Sequence, residues 1–293
     1  MNSANEHDSR YLGQYIPPHY HFNMLRDSPR MHGFKRAIEI LVKPGARVLE
    51  LGGGTGILSF FAAKAGASKV WCVEMNPPML AMSRRLLAMN HGTENIEVVE
   101  ADAMSYMPPE PVEVVICEML HVGLLREKQV EVIQSFKDRY WECYGALPQF
   151  IPGAAIQAVQ PISCPFQYLG YHAPAPVFQD PLVKWDDVVE LGQPVLYQMF
   201  QYDCGIPEKC LCDGEIQISA DGEWNALRFI TKNVLAIEPD GECLPIEWFN
   251  QYLILPLAEP VSVRAGEKKK LSFSYLPGGS IESLADSIQI GHI

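Results

Sequence analysis

The stretch 46-ARVLELGGGTGILSFFAAKAGASKVWCVE-74 decides the fold: an apolar run ending at Glu50 meets a glycine turn, then a helix-forming segment, then a second apolar run ending at Glu74. Strand, turn, helix and strand make one βαβ unit. Gly52, Gly54 and Gly56 let the backbone turn sharply and approach a ligand without Cβ clashes. A dinucleotide fingerprint needs its third glycine where this chain has Ile57, so the turn does not specify a pyrophosphate packed on a helix N-terminus. The two acids name a different ligand. Glu74 closes the second strand, where a carboxylate accepts ribose hydroxyls, and Glu50 sits beside the turn, near the place of a cationic amino-acid group. Together they point to S-adenosyl-L-methionine, with S-adenosyl-L-homocysteine as the spent form.

Outward from this unit the pattern continues. Residues 46–150 alternate apolar strand runs (VLEL, KVWCVE, IEVVEAD, VEVVICEM) with helical segments, as a doubly wound, Rossmann-like α/β domain does. Ligands of such sheets sit beyond the carboxyl ends of the strands, so Glu50, Glu74, Asp102 and Glu118 are expected to converge on one crevice, Asp102 toward the adenine amino group. Residues 1–45 are polar and aromatic, and MHGFKRAIEILV predicts a helix that Lys43-Pro44-Gly45 stops, giving a helical lid. From residue 151 to 293 short alternating runs are separated by Pro, Gly and Asp-Gly turns, which predicts an all-β, barrel-like domain.

Composition narrows the partners. The 35 acidic against 23 basic residues give a net charge of −12, which argues against a nucleic-acid binder and suits a cationic substrate. The eight cysteines are scattered, as in a reducing compartment, and the spacing of Cys204, Cys210 and Cys212 matches no common zinc pattern, so no metal is expected. No run reaches the length of a membrane span and the N-terminus lacks an apolar signal core, so the expectation is a cytoplasmic protein with no membrane partner.

After the fourth strand run comes Glu118-Met-Leu-His-Val-Gly-Leu-Leu-Arg-Glu127. A loop closing on itself can present both carboxylates to one cavity and hold a planar guanidinium by bidentate, charge-assisted hydrogen bonds. Two buried acids need such a cation, because like charges otherwise drive one to protonate. Glu127 has a second reading as the acid that opens the next helix. His121 within the loop is a tempting proton acceptor, although a lone loop histidine is more often structural.

This loop, at this spacing after the fourth strand, resembles the double-glutamate hairpin of the protein arginine methyltransferase family, a class I S-adenosylmethionine-dependent group. Tyr11-Leu-Gly-Gln-Tyr15 resembles the family's N-terminal tyrosine motif, and His21, Met24, Leu25, Asp27 and Arg30 follow in its register. The resemblance implies that Met24 packs near the cofactor, that Arg30 pairs with its carboxylate and that Tyr15 helps close the substrate pocket. It further implies that Glu118 and Glu127 aim an arginine nitrogen at the methyl donor, and that the second domain serves substrate binding and homodimerisation. Ala146-Leu-Pro-Gln-Phe-Ile-Pro152 resembles the family's crossing into that domain.

Two departures bear on the acceptor and a third on dimerisation. The family's Thr-His-Trp loop has its counterpart in Ile246-Glu247-Trp248, which keeps the aromatic wall and replaces the imidazole by a third carboxylate. Met119-Leu-His-Val122 stands where the family's commonest form has Trp-Met-Gly-Tyr, and residues 164–185 do not read as the family's helical dimerisation arm. The expected activity is methyl transfer to a protein or peptide arginine. A small guanidino or amino metabolite is the alternative acceptor, and a non-catalytic cofactor-binding scaffold the alternative class.

Overall fold

The computed structural model describes residues 16, 18–238 and 243–292. Two short elements lead in: helix α1 (Pro18–Met24) and helix α2 (Ser28–Leu41). Asp27 caps α2 by accepting the Arg30 N–H at 3.0 Å, with Pro29 in the first turn. Arg30, Phe34, Ala37 and Ile38 are its buried face, spaced as one helical stripe.

A parallel sheet follows, formed by β1 (Arg47–Leu51), β2 (Lys69–Glu74), β3 (Ile96–Glu100), β4 (Val114–Cys117) and β5 (Gln149–Ile151) in the order β3-β2-β1-β4-β5. Its helices are α3 (Ile57–Lys64), α4 (Pro77–Ala88) and α5 (Gln129–Tyr144). Val48, Leu49 and Leu51 on β1 and all of β4 are buried, as expected of strands covered on both faces, and this is why they read as unbroken apolar runs. Strand order reverses between β1 and β4, so the crevice beyond their carboxyl ends lies at a topological switch point. The Rossmann-like expectation agrees with this sheet; the strand β5 adds an edge at residues 149–151, where the sequence alone suggested only a crossing.

Beyond Pro152, which follows a cis peptide bond, the pairing becomes antiparallel. Strands β6 (Ala154–Ser163), β9 (Val177–Gln179), β10 (Val189–Glu190), β11 (Val195–Gln201), β13 (Gly222–Ile237), β14 (Pro245–Phe249) and β15 (Tyr252–Val263) form one sheet. Strands β12 (Cys210–Gln217), β16 (Lys268–Tyr275) and β17 (Gln289–His292) form another, and the bridge Gly192↔Ile218 joins the two. Between β6 and β9 lies the small hairpin β7 (Gln167–Tyr168) with β8 (Tyr171–His172), so residues 164–185 carry strands and turns and no helix. Burial alternates along β12 and β16, the mark of a sheet with one face inward. Among the described residues the antiparallel pairings make the seven-stranded and three-stranded sheets, linked by that bridge, and the two-stranded hairpin. The sequence pattern did not reveal α6 (Ile281–Ser287), whose N-cap Ser280 accepts the Ser283 N–H.

Helix α2 is the hinge pin between the halves: Phe34 on its buried face packs on Trp248 of β14, ring centroids 6.4 Å apart. No helix among the described residues is long and apolar enough to cross a membrane.

Candidate active site

The turn between β1 and α3 is built from glycines in the left-handed region: Gly52, Gly54 and Gly56 have φ of 80°, 52° and 79°. A Cβ on Gly52 would stand 2.6 Å from Met119 Cε, and one on Gly53 would collide with the buried Sγ of Cys72. Gly53 lies outside the Gly-x-Gly-x-Gly register; its need for hydrogen comes from Cys72 on the adjacent strand, a proximity that spacing does not report. Gly56 caps α3 against Leu87 and is not part of the crevice wall.

One cavity gathers Met24, Arg30, Glu50, Gly52, Gly54, Glu74, Asp102, Glu118 and Glu127. They reach it from strand ends, from the glycine turn, from α1 and α2, and, for Glu127, from the loop before α5. Glu74 accepts the Gly54 N–H and the Asn76 N–H, both at 2.8 Å, so the carboxylate locks the glycine turn to the end of β2. Glu50 accepts from the Ser59 N–H at 2.9 Å and from the Ser59 hydroxyl; burial pushes its pKa up to about 7 against these hydrogen bonds. Asp102 is exposed at the crevice rim and accepts the Met104 N–H at 2.9 Å. His21 and Met24 of α1 overhang the turn. Tyr15 lies outside the described residues.

At the inner end, Arg30 and Glu118 form an ion pair, and the guanidinium carbon of Arg30 lies 4.9 Å from the Trp248 ring centroid. The pair leaves Arg30 Nε and Glu118 Oε1 buried without a hydrogen-bond partner. Glu127 lines the same cavity, and burial, then the charge of Glu118, raises its pKa to about 8 although Arg30 opposes the shift. The Arg30 guanidinium thus faces two acids, with Lys128 also on the cavity wall. The glycine cradle, the Glu74 carboxylate and these unpartnered polar atoms fit a ligand with a ribose and a zwitterionic end, so the residues present suit S-adenosylmethionine.

The loop between the two acids is held from all sides. Gly123, at the centre of a short 3-10 turn (Val122–Leu124), has φ 69°, and the non-glycine residues Leu124 and Arg126 also lie at positive φ, 52° and 64°. Such backbone persists only when its surroundings over-determine it. Gln129 accepts the Met119 N–H at 2.8 Å and donates to the Cys117 carbonyl at 2.7 Å. From the antiparallel sheets, Thr231 Oγ1 accepts the Gly123 N–H at 2.7 Å, Asn250 donates to the Leu120 carbonyl at 3.0 Å and the Tyr275 hydroxyl donates to the Gly123 carbonyl at 2.9 Å. The C-terminal segment adds Gly278 N–H to the Leu124 carbonyl, 2.7 Å, and Arg126 N–H to the Gly279 carbonyl, 2.8 Å. None of these partners was visible in the sequence, because each comes from a segment more than a hundred residues away, or, for Gln129, from the first turn of a helix whose face is not fixed by pattern.

Two expectations about the acceptor side are altered. Glu247 turns away: its carboxylate pairs with Lys232 at 2.7 Å, on the face of β14 opposite Trp248, and it does not line the cavity. Trp248 does not line it directly either and reaches it through the Arg30 guanidinium. His121 packs edge-on against Phe178, centroids 5.6 Å apart, and burial lowers its pKa to about 4. It holds a backbone carbonyl, that of Val122, at 3.0 Å, and is not on the cavity wall. Among the described residues no cluster of His, Cys, Asp and Glu could hold a metal.

A methyltransferase domain model matches residues 48–139. Over 91% of this chain the sequence is 29% identical to the uncharacterized protein MJ1452 of Methanocaldococcus jannaschii, covering 95% of that protein. It is 30% identical to an arginine N(omega)-methyltransferase of Streptomyces achromogenes subsp. streptozoticus over 47% of this chain and 38% of that one. The fold matches the Trypanosoma brucei PRMT1 enzyme-prozyme heterotetrameric complex with AdoHcy, with TM-score 0.68 and 17% identity over 93% of this chain and 97% of that chain. The chain is therefore an S-adenosylmethionine-dependent methyltransferase, similar over part of its sequence to arginine methyltransferases and sharing the fold of solved protein arginine methyltransferases.

Proposed function

We propose that the enzyme methylates the guanidinium of arginine in proteins or peptides. The observation that carries the reading is Arg30 itself: a guanidinium already rests between the Glu118 carboxylate and the Trp248 ring, with Glu127 on the same cavity wall, so the inner end of the crevice is furnished for that group. In this reading residues 46–150 hold the cofactor, and residues 151–293 supply the Trp248 ring behind Arg30 and the grip on the two-acid loop.

Bound in the crevice, S-adenosylmethionine supplies a methyl group on a sulfonium centre, and its transfer to a nitrogen leaves that nitrogen with one proton to shed. Glu74 holds the ribose, Asp102 the adenine amino group, and Arg30 with Glu50 the amino-acid end, while Gly52 and Gly54 allow close backbone approach. Once Arg30 turns from Glu118 to the cofactor's amino-acid end, Glu118 and Glu127 orient the acceptor guanidinium and draw its charge toward themselves, leaving electron density on the attacking nitrogen. Glu127, whose pKa stands near 8, takes the released proton when ionised, and its ionised fraction grows as pH rises toward 8. Glu118→Gln is expected to lower methyl transfer to arginine peptides at least about a hundredfold, read with radiolabelled cofactor, with S-adenosylhomocysteine binding retained. Unchanged turnover would sink the two-carboxylate reading.

A second acceptor class has its own support. Glu247 and His121 face away from the cavity, so the acceptor seat has neither the third carboxylate expected of Glu247 nor an imidazole, and one relative is named for arginine itself. Free arginine and other small guanidino compounds, assayed beside peptides, separate the two classes by kcat/KM.

A further inference from the structure

The first turn of α4 has an unusual cap. Asn76 occupies the N-cap position with extended backbone, φ −81° and ψ 112°, and asparagine there ordinarily turns its side-chain oxygen onto an N–H of the first turn. Here it does not. The next two residues, Pro77 and Pro78, carry no N–H, so only Met79 has a first-turn donor to offer, and Asn76 leaves it alone. The backbone of Asn76 is fully engaged: its carbonyl accepts the Leu80 N–H at 2.8 Å and its own N–H goes to Glu74 Oε1 at 2.8 Å.

The side chain goes elsewhere. Asn76 is 8% exposed, it lines the cofactor crevice beside Glu74, and its Oδ1 is buried with no hydrogen-bond partner. A buried acceptor withheld from its usual helix partner is costly unless a ligand supplies the donor. Glu74 is already bonded at both oxygens, Oε2 by Gly54 and Oε1 by Asn76, so part of its accepting capacity is spent on the turn. A ribose presents two hydroxyl donors to this corner. We propose that Asn76 is a cofactor-binding residue whose side-chain carbonyl accepts a ribose hydroxyl of S-adenosylmethionine, sharing the sugar with Glu74. A hydroxyl suits the position because it both donates and accepts, matching either end of the amide.

The inference rests on the cofactor and is independent of the acceptor, so it is tested without methyl transfer. Calorimetry with S-adenosylhomocysteine and its 2′-deoxy and 3′-deoxy analogues is run on the wild type, Asn76→Ala and Asn76→Ser, with melting of each ligand-free protein. Asn76→Ala is expected to bind S-adenosylhomocysteine about five- to tenfold more weakly. One deoxy analogue should weaken the wild type similarly and Asn76→Ala little further, the coupling expected of direct partners. The ligand-free melting midpoint should stay within about 2 °C, since no cap is lost. Serine is a good N-cap residue too short to reach the sugar, so Asn76→Ser should lose the same affinity and covers the case in which the alanine variant folds poorly. Affinities of both variants within twofold of wild type, or deoxy losses that simply add to that of Asn76→Ala, overturn the proposal. So does coupling to the adenine amino group, seen with the inosine analogue. A wild type that binds no S-adenosylhomocysteine would instead overturn the cofactor reading.

Discussion

Glu127 is the residue whose chemistry is most displaced by its setting. Its pKa stands near 8 because burial disfavours the carboxylate and Glu118 adds a like charge, which the opposing charges of Arg30, itself paired with Glu118, and of Arg126 do not offset. The folded state therefore holds the Glu127 proton above the ordinary value near 4.5, and stability falls as pH rises from that value to about 8, then levels. Glu127→Gln removes this loss: thermal melts should show equal stability near pH 4.5 and a variant more stable by on the order of a few kcal/mol at pH 8.5. The same titration should appear in catalysis, as a kcat/KM for a guanidinium acceptor that climbs toward pH 8 in the wild type and loses that limb in the variant. A flat difference in melting across this range would remove the raised pKa from the argument. At this scale the sequence was a good guide to which residues carry charge into the crevice, since Glu50, Glu74, Asp102 and Glu118 all close or follow strands. It was a poor guide where a side chain's direction decides: Glu247 and Trp248 are neighbours on one strand, and the period of two sends them to opposite faces, a choice set by the pairing of β14 with β13.

Among elements, the two-acid loop shows how the second module contributes to chemistry without lining the cavity. Thr231 on β13 both accepts the Gly123 N–H and donates to Gln157 at 2.6 Å, so the loop is tied to β6 through β13. Asn250 is oriented by Asn233 at 2.8 Å, and Tyr275 by Tyr197 at 2.7 Å. Each clamp residue is thus itself held, which fixes the loop well enough to sustain positive φ at Leu124 and Arg126. Thr231→Val keeps the shape of the side chain and removes both hydrogen bonds. It is expected to lower kcat/KM for the acceptor about tenfold to a hundredfold while S-adenosylhomocysteine affinity, measured by calorimetry, stays within about twofold; Thr231→Ser should restore most of the loss. Equal losses of acceptor turnover and cofactor affinity would mean that the residue supports the fold generally and not the loop. The elements themselves were legible where period and burial coincide, in the parallel strands and in α2 and α5. The clamps were not, because hydrogen bonds between β13 and a loop a hundred residues earlier leave no mark on local pattern.

For the whole molecule, the distribution of work between field and contact separates the two acceptor classes. A net charge of −12 produces an attractive potential for cations that extends about one Debye length, roughly 10 Å at 0.1 M salt, and weakens as salt is added. In the proposed reading the acceptor guanidinium meets Glu118 at the buried end of the crevice, where salt screens little. A peptide bearing several basic residues around its target arginine feels both; free arginine, whose carboxylate cancels one charge, depends mainly on the contact. For a basic peptide, kcat/KM is expected to fall about fivefold to tenfold between 0.05 and 0.5 M salt, with most of the change in KM. For free arginine the change should stay within about twofold over the same range. If the enzyme evolved toward peptides, the low-salt preference for the basic peptide is large and collapses with salt. If free guanidino compounds are the acceptors, their kcat/KM exceeds that of the peptide at every ionic strength, and the acidic surface serves solubility alone.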